Sequence, residues 1–189
     1  MRIDNWFPTP VGVAVNEDEC NLSDHCIELM SKVSGGGDNW IGRPYTTMGT
    51  DYDILEDEKF SGLNSWITKN VNEFASSCGW ANVVPKVGWF NVYKKGDYQE
   101  SHLHANHHFS CVYFLDAKDD DARLVFMRTP LPSIEHKIVQ KNPINYNLSW
   151  YEPHKGLLLI FKSDTMHMVE QKKTDDIRIS LSYNFCEEN

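Results

Sequence analysis

The segment Ile177-Arg178-Ile179-Ser180-Leu181-Ser182-Tyr183-Asn184-Phe185 alternates between two kinds of side chain. One set is apolar and consists of Ile177, Ile179, Leu181, Tyr183 and Phe185. The other set is polar and consists of Arg178, Ser180, Ser182 and Asn184. Successive side chains of a β-strand point to opposite sides, so a period of two indicates a strand with one apolar face. The segment therefore predicts a strand that packs this face into a core.

Seven further segments between residue 84 and this strand have the same character. They are short, rich in Val, Ile, Tyr, Phe and Trp, and bounded by turn residues, and they cover 86–94, 98–104, 108–116, 122–128, 146–151, 156–162 and 166–171. No helical pattern separates them. About eight such strands predict a mainly β (α+β) fold, a sandwich or jelly roll rather than a parallel βαβ sheet.

Residues 1–83 show a helical periodicity instead. Apolar side chains recur every three or four positions at Phe60, Leu63, Ile67, Val71, Phe74 and Cys78. This spacing predicts an amphipathic helix, and Gly79 is placed to end it. We therefore predict a single domain over 1–189, in which a helical N-terminal extension (1–83) packs outside a β core (84–189).

The composition excludes several classes of protein. Of the 189 residues, 41% are hydrophobic and 24% charged, which are ordinary globular values. The net charge of -9 argues against binding to nucleic acid or to anionic membranes, which requires basic patches. The N-terminus shows no apolar signal-peptide region. The five cysteines form no Cys-x-x-Cys pair, so we expect unpaired thiols and a cytoplasmic location.

Four of the eight histidines lie between residues 102 and 108. In an extended strand, His102 and His104 present their imidazoles to the same side. His167 lies on another predicted strand downstream. Two histidines from one strand and one from a distant strand can form a three-ligand metal face with open positions. The alternative is a polar surface strand whose histidines face water.

The polar face of the last strand carries a second signal. Arg178 and Ser180 are neighbours on that face, roughly 6.6 Å apart along the strand. A guanidinium beside a hydroxyl is a good receptor for a carboxylate, because two parallel charge-assisted hydrogen bonds fix a planar anion. The alternative is a solvent-exposed polar face that happens to include one arginine.

The order of these residues resembles that of the Fe(II)/2-oxoglutarate-dependent dioxygenases. Their pattern is His-x-acid, a distal His and an Arg about ten residues later, and here Arg178 follows His167 by eleven residues. The approach Tyr93-Lys-Lys-Gly96, with Tyr98 before His102, is similar to that of the prolyl-hydroxylase branch. Arg178-Ile-Ser180 is similar to the Arg-x-Ser pair that holds the C5 carboxylate of 2-oxoglutarate in several members.

A closer resemblance is to a family of small oxygenases of bacteria and marine phages. It covers most of the chain and is firmest over 87–185. The shared phrases are Phe7-Pro-Thr-Pro10, Trp89-Phe-Asn91, Gly96-Asp-Tyr98, His102-Leu-His104, Ser110-Cys-Val-Tyr113-Phe114, Gly156 to Phe161, His167, and Arg178 to Asn184. A phage origin would make the expected location the host cytoplasm.

The resemblance implies a double-stranded β-helix fold and two cofactors, Fe(II) and 2-oxoglutarate. It implies metal ligands at His102, His104 and His167, with no catalytic residue beyond them. It implies a 2-oxoglutarate site formed by Arg178 and Ser180, with help from Tyr93 or Tyr113. The expected reaction hydroxylates an unidentified small-molecule or peptidyl substrate and releases succinate and CO2. We expect the substrate to enter near the long loop at 129–147.

The chain departs from the general pattern at His104, where the dioxygenases have Asp or Glu. Glu100, two residues before His102 and thus expected on the same strand face, could replace His104 as ligand or orient a ligand; we favour three histidines.

Two other functions stay open. One is a metal-binding jelly-roll module without turnover, and the other is a cupin-like three-histidine oxygenase that does not use 2-oxoglutarate.

Overall fold

A computed structural model of the chain describes residues 1–4, 6–18, 21–36, 40–130, 134 and 137–188. Within these residues there are two α-helices, α1 (Ser23–Met30) and α2 (Ser61–Ser77), the second preceded by a 3-10 turn at Glu58–Phe60. The strands are β1 (Val11–Val15), β2 (Tyr45–Thr46), β3 (Val83–Tyr93), β4 (Gln99–His102), β5 (Phe109–Asp116), β6 (Leu124–Met127), β7 (Leu148–Tyr151), β8 (Leu157–Lys162), β9 (His167–Val169) and β10 (Arg178–Glu187).

The strands form two antiparallel sheets. The larger sheet has six strands in the order β1-β8-β5-β10-β3-β2, and the smaller has four in the order β4-β9-β6-β7. Apolar side chains from both sheets pack together between them, for example Phe114 and Phe161 with Leu124 and Val169. This confirms the predicted mainly β fold of the double-stranded β-helix type.

The segment that opened the sequence analysis becomes β10, an inner strand of the larger sheet. It pairs with β3 on one side and with β5 on the other. Its apolar face, with Ile179, Leu181, Tyr183 and Phe185, packs into the core beneath the helices. Its polar side chains are also buried, and Arg178 and Ser180 line a cavity between the sheets. The alternation thus separates a packing face from a face available for chemistry.

Helix α2 covers the outer face of the larger sheet. Leu63, Ile67, Val71 and Ala75 are buried, and they share a core with Phe90, Cys111, Leu158 and Leu181 of that sheet. Cys26 of α1 joins the same core. The helix stops before Gly79, which has a positive φ of 79° that glycine adopts without strain. The prediction that helices pack outside the β core is confirmed.

The N-terminal third also supplies two strands that the sequence pattern did not indicate. β1 pairs with β8 at one edge of the larger sheet, and β2 pairs with β3 at the other. All eight predicted strands are present, with bounds that differ by a few residues. The shortest, β9, covers only three residues of the predicted 166–171.

Some sequence predictions fall on residues that the structure does not describe. Cys20 is one of them, whereas Cys78, Cys111 and Cys186 carry free thiols. The loop predicted to admit substrate, 129–147, also lies partly outside the described residues. In the part of the chain that is described, no helix combines the length and apolar character needed to cross a membrane.

Candidate metal and cosubstrate site

Three imidazoles converge between the two sheets. His102 in β4 lies directly opposite His167 in β9, and their ring centroids are 4.2 Å apart. His104 follows the end of β4, where its backbone N–H donates to the carbonyl of Ser163 at 2.8 Å. One ring nitrogen from each histidine lies within 4.8 Å of the other two. The structure therefore brings together the three histidines that the spacing predicted.

Backbone carbonyls fix the tautomer of two of these rings. Nδ1 of His102 lies 2.8 Å from the carbonyl oxygen of Glu100, and Nδ1 of His167 lies 2.8 Å from that of Thr165. A carbonyl can only accept, so both Nδ1 atoms carry the proton. Each Nε2 keeps its lone pair for a metal ion, an arrangement typical of metal-binding histidines.

The three imidazoles are neutral at physiological pH. Burial lowers the pKa of His167 to about 3 and that of His104 to about 4. Burial also lowers the pKa of His102. Only the neutral ring can bind a metal ion, so the site is kept in the form that a divalent cation requires. The donor set therefore fits Fe(II), for which imidazole is a suitable ligand.

Aromatic side chains surround the cluster. Trp89 of β3 stacks on His104 with 5.7 Å between ring centroids, and Trp40 meets His102 edge-on at 5.0 Å. Phe161 of β8 contacts His167 edge-on at 4.8 Å. These contacts restrict ring rotation.

Arg178 lies in the same cavity, fully buried at the start of β10. Its guanidinium carbon sits 4.6 Å from the ring centre of Tyr93 and 4.8 Å from that of Phe114. Burial lowers the pKa of Arg178, although arginine stays charged in proteins. Among the described residues, none of its three guanidinium nitrogens has a hydrogen-bond partner. A buried cation in this state fits a carboxylate ligand.

One cavity joins these groups. Tyr93 and Ser180, two of the residues predicted to bind the cosubstrate, line it beside Arg178. The hydroxyl of Tyr93 donates to Oε1 of Gln99 at 2.8 Å, which orients the phenol. The three histidines and the guanidinium therefore face one space between the sheets.

Tyr113, the other tyrosine considered for this site, is not brought to it. Strand β5 is buried on both faces, and Tyr113 belongs to the core on the helix side, where its ring contacts Trp66. Ser110 and Val112 line the cavity from β5. Because both faces of β5 are apolar, its sequence does not show which side chains point inward.

Glu100 does not lie with the histidines either. A β-bulge between Gln99 and His102 adds one residue to β4, so Gln99 rather than Glu100 shares the face of His102. One carboxylate oxygen of Glu100 accepts a hydrogen bond from the backbone amide of Ile41 at 2.6 Å. Partial burial raises the pKa of Glu100, but backbone amides, that of Ile41 foremost, lower it more.

Several residues that line the cavity were not among the predicted site residues. They are Trp40, Met48, Trp89, Asn91, Gln99, Ser110 and Ser182. Trp89 and Asn91 precede Tyr93 at intervals of two, so alternation along β3 could have placed all three on one face. Trp40 and Met48 come from loops, where no periodicity applies.

Several solved structures share this fold, and their alignments cover most of the chain. A prolyl-4-hydroxylase of Pseudomonas putida is 14% identical with a TM-score of 0.61, and the alignment covers 94% of each chain. A collagen prolyl hydroxylase of Paramecium bursaria Chlorella virus-1, solved with 2-oxoglutarate, is 13% identical with a TM-score of 0.61, covering 94% of this chain and 96% of that one. At this identity the likeness shows the fold alone.

A third structure is longer than this chain. An oxidoreductase of the 2OG-Fe(II) oxygenase family from Burkholderia pseudomallei is 17% identical with a TM-score of 0.54. The alignment covers 72% of this chain but only 59% of that protein. A comparison with curated protein sequences found no match.

A family model identifies the chain more directly. The model described as "Putative 2OG-Fe(II) oxygenase" matches residues 87–184. This match covers just over half of the chain and includes all three converging histidines and Arg178. The chain therefore belongs to the 2OG-Fe(II) oxygenase family, the iron- and 2-oxoglutarate-dependent oxygenases.

Proposed function

We propose that His102, His104 and His167 hold Fe(II), that Arg178 anchors the C5 carboxylate of 2-oxoglutarate, and that the protein hydroxylates an organic substrate. The observation that carries this proposal is that one cavity holds both a cluster of potential metal ligands and a potential carboxylate receptor. Three neutral imidazoles converge there, and a fully buried guanidinium lacks a hydrogen-bond partner among the described residues.

The residues around Arg178 support its role as the anchor. The rings of Tyr93 and Phe114 hold the guanidinium plane but leave its N–H groups unused. Ser180, two residues further along the inner face of β10, can add a hydroxyl donor to the same carboxylate. A desolvated cation gains more from pairing than an exposed one, because water no longer competes for its donors.

When bound, Fe(II) and 2-oxoglutarate supply the oxidation of an unactivated C–H bond by dioxygen, with release of succinate and CO2. The protein contributes placement and a dry cavity. His102 and His104 are partly exposed whereas Arg178 is fully buried, so the substrate reaches the site from the histidine end. None of the described residues of the loop 129–147 lines the cavity. The substrate is a small molecule or a peptidyl residue.

The two other functions left open by the sequence fit the site less well. Neither function requires a buried arginine in the cavity. This holds for a metal-binding module without turnover and for a three-histidine oxygenase without 2-oxoglutarate. Burying a cation costs several kcal/mol, and a bound anion would offset more of that cost than the rings of Tyr93 and Phe114 do. The unused guanidinium therefore favours a cosubstrate with a carboxylate.

The proposal is tested by anaerobic calorimetry of 2-oxoglutarate binding to the Fe(II)-loaded protein. We expect Arg178→Gln to weaken binding by roughly 2–5 kcal/mol, because the bound carboxylate loses its charged partner. Arg128→Gln is the matched control, since Arg128 is exposed and outside the cavity. Metal content is measured first, and His167→Ala should lower it.

Unchanged 2-oxoglutarate affinity in Arg178→Gln would rule out the anchor. Stoichiometric metal in His167→Ala would rule out the histidine site.

A further inference from the structure

We infer that the site takes a singly charged anion at its His102–His104 end, in addition to 2-oxoglutarate, and that the primary substrate presents this charge as a carboxylate or a phosphate-ester monoanion. The inference rests on the proposed function and extends it to the class of substrate. It follows from the charged side chain that lines the cavity and from the absence of carboxylates from the described lining.

The cavity lining has an unusual charge inventory. Among the described residues that line it, Arg178 carries the one permanent charge, and no aspartate or glutamate is present. The three histidines are neutral ligands. The remaining lining is aromatic, aliphatic or neutral polar, as with Trp89 and Ser182.

The acidic groups nearest the cavity lie outside its lining. The bulge in β4 removes Glu100 from the face of His102, and its carboxylate accepts from the amide of Ile41. Asp121, which acts electrostatically on Arg178, forms two hydrogen bonds of 2.8 and 2.9 Å with Nζ of Lys172. Neither carboxylate lines the cavity, although the second oxygen of Glu100 is buried without a hydrogen-bond partner among the described residues and acts electrostatically on His102.

Counted over the groups that line the cavity, the loaded site therefore retains an excess of positive charge. Fe(II) and Arg178 bring three positive charges, and 2-oxoglutarate brings two negative ones. A carboxylate at position 104 would make the sum zero, but His104 contributes no charge. A net charge in a partly dehydrated cavity is costly unless a counter-ion joins it. One further negative charge completes the balance.

The open end of the cavity is suited to receive that charge. His102 and His104 are partly exposed there, so an anion can enter without displacing the buried 2-oxoglutarate anchor. Ser182 pairs across the sheet with Trp89, which stacks on His104, so its hydroxyl faces the same end. Its oxygen accepts from Nδ2 of Asn91 at 3.3 Å, which leaves the hydroxyl proton for an oxyanion.

The test uses Co(II)-loaded protein, saturated with 2-oxoglutarate and held at constant ionic strength without oxygen. Acetate and acetamide have the same shape but differ by one charge, and azide represents a small inorganic anion. Calorimetry and the visible absorption of Co(II) report binding, so turnover is not needed. We expect acetate to bind at least tenfold more tightly than acetamide.

Two variants change the charge without changing the cavity walls elsewhere. His104→Asp supplies the missing negative charge and should weaken acetate binding at least tenfold. Glu100→Gln removes a charge outside the cavity and should leave acetate binding equal to or tighter than in the unmodified protein. If His104→Asp fails to hold Co(II), the acetate and acetamide comparison on the unmodified protein decides alone.

Equal affinity for acetate and acetamide, or no binding of either, would overturn the inference. Binding of azide without acetate would also overturn it, because the charge would then belong to a small inorganic ion rather than to a substrate. In each case the measured binding of Co(II) and 2-oxoglutarate leaves the proposed function standing. Failure at those first two steps would instead contradict the proposed function itself.

Discussion

The buried histidines tie the stability of the metal-free protein to pH. Burial lowers the pKa of His167 to about 3, whereas an exposed histidine in the unfolded chain titrates near ~6.5. Protons therefore bind the unfolded chain first as the pH falls below about 6.5. We expect the free energy of unfolding to decrease from that pH downward, by roughly 1.4 kcal/mol per pH unit for this side chain.

Urea unfolding between pH 7.5 and 5 measures this dependence. His167→Gln should flatten it, because glutamine does not titrate. His108→Gln is the matched control, since His108 is half exposed and lies outside the cavity. An unchanged slope in His167→Gln would contradict the neutral, buried state assigned to His167.

Individual site residues could be predicted where they lie on strands with one polar face. His102, His104, Arg178 and Ser180 were found because alternation in two strands placed each pair on one side. The same rule failed at Glu100, because a β-bulge reset the alternation between Gln99 and His102. A bulge inserts a residue without a distinctive sequence, so period two alone does not reveal it.

Among the elements, α2 acts as the support of the larger sheet. Ile67 is fully buried at the centre of its apolar face, between the helix and the sheet. We expect Ile67→Ala to lower the free energy of unfolding by roughly 2–5 kcal/mol, because it leaves a cavity in a packed core. Affinity for 2-oxoglutarate should stay unchanged, since α2 packs on the face opposite the site.

Denaturant unfolding and calorimetry on the same variant separate the two effects. Lys69→Ala, on the exposed side of α2, is the control and should change neither quantity. Loss of cosubstrate affinity together with stability would mean that the helix also shapes the site.

The elements themselves were largely predictable, with β1 as the clearest exception. Its sequence, Val11-Gly-Val-Ala-Val15, is short and has no polar alternation that marks one face. It becomes a strand because it pairs antiparallel with β8 at the edge of the larger sheet. Gly12 allows the close approach of α2, since a Cβ there would lie 2.8 Å from Phe74. Pairing with a distant strand is a tertiary effect that local sequence does not show.

At the scale of the whole molecule, one buried lysine joins three connections between the sheets. Lys172, in the β9–β10 connection, is fully buried and bonds both carboxylate oxygens of Asp121 in the β5–β6 connection. It also bonds Thr174 and Asp176. Its backbone pairs with Gly96 and Asp97 in the β3–β4 connection. Asp121 of this cluster also acts electrostatically on Arg178.

We expect Lys172→Met to lower the free energy of unfolding by roughly 3–5 kcal/mol, because it leaves the buried carboxylate of Asp121 without its partner. The neighbouring Lys173 is exposed, so Lys173→Met is the matched control. The double variant Lys172→Met, Asp121→Leu should recover much of the loss. Urea unfolding measures all three, and a loss no larger than that of Lys173→Met would contradict the role of the cluster.

The bulge in β4 has a consequence for comparing related chains. Gln99 pairs with Val169, and His102 pairs with His167. Along β4, His102 follows Gln99 by three residues, whereas along β9 Val169 follows His167 by only two. The extra residue belongs to no ladder pair. A relative that is one residue shorter at 100–101 could keep both flanking pairs, and its histidine would still face the cavity. Alignments of this family should therefore admit a one-residue gap there, immediately before His102.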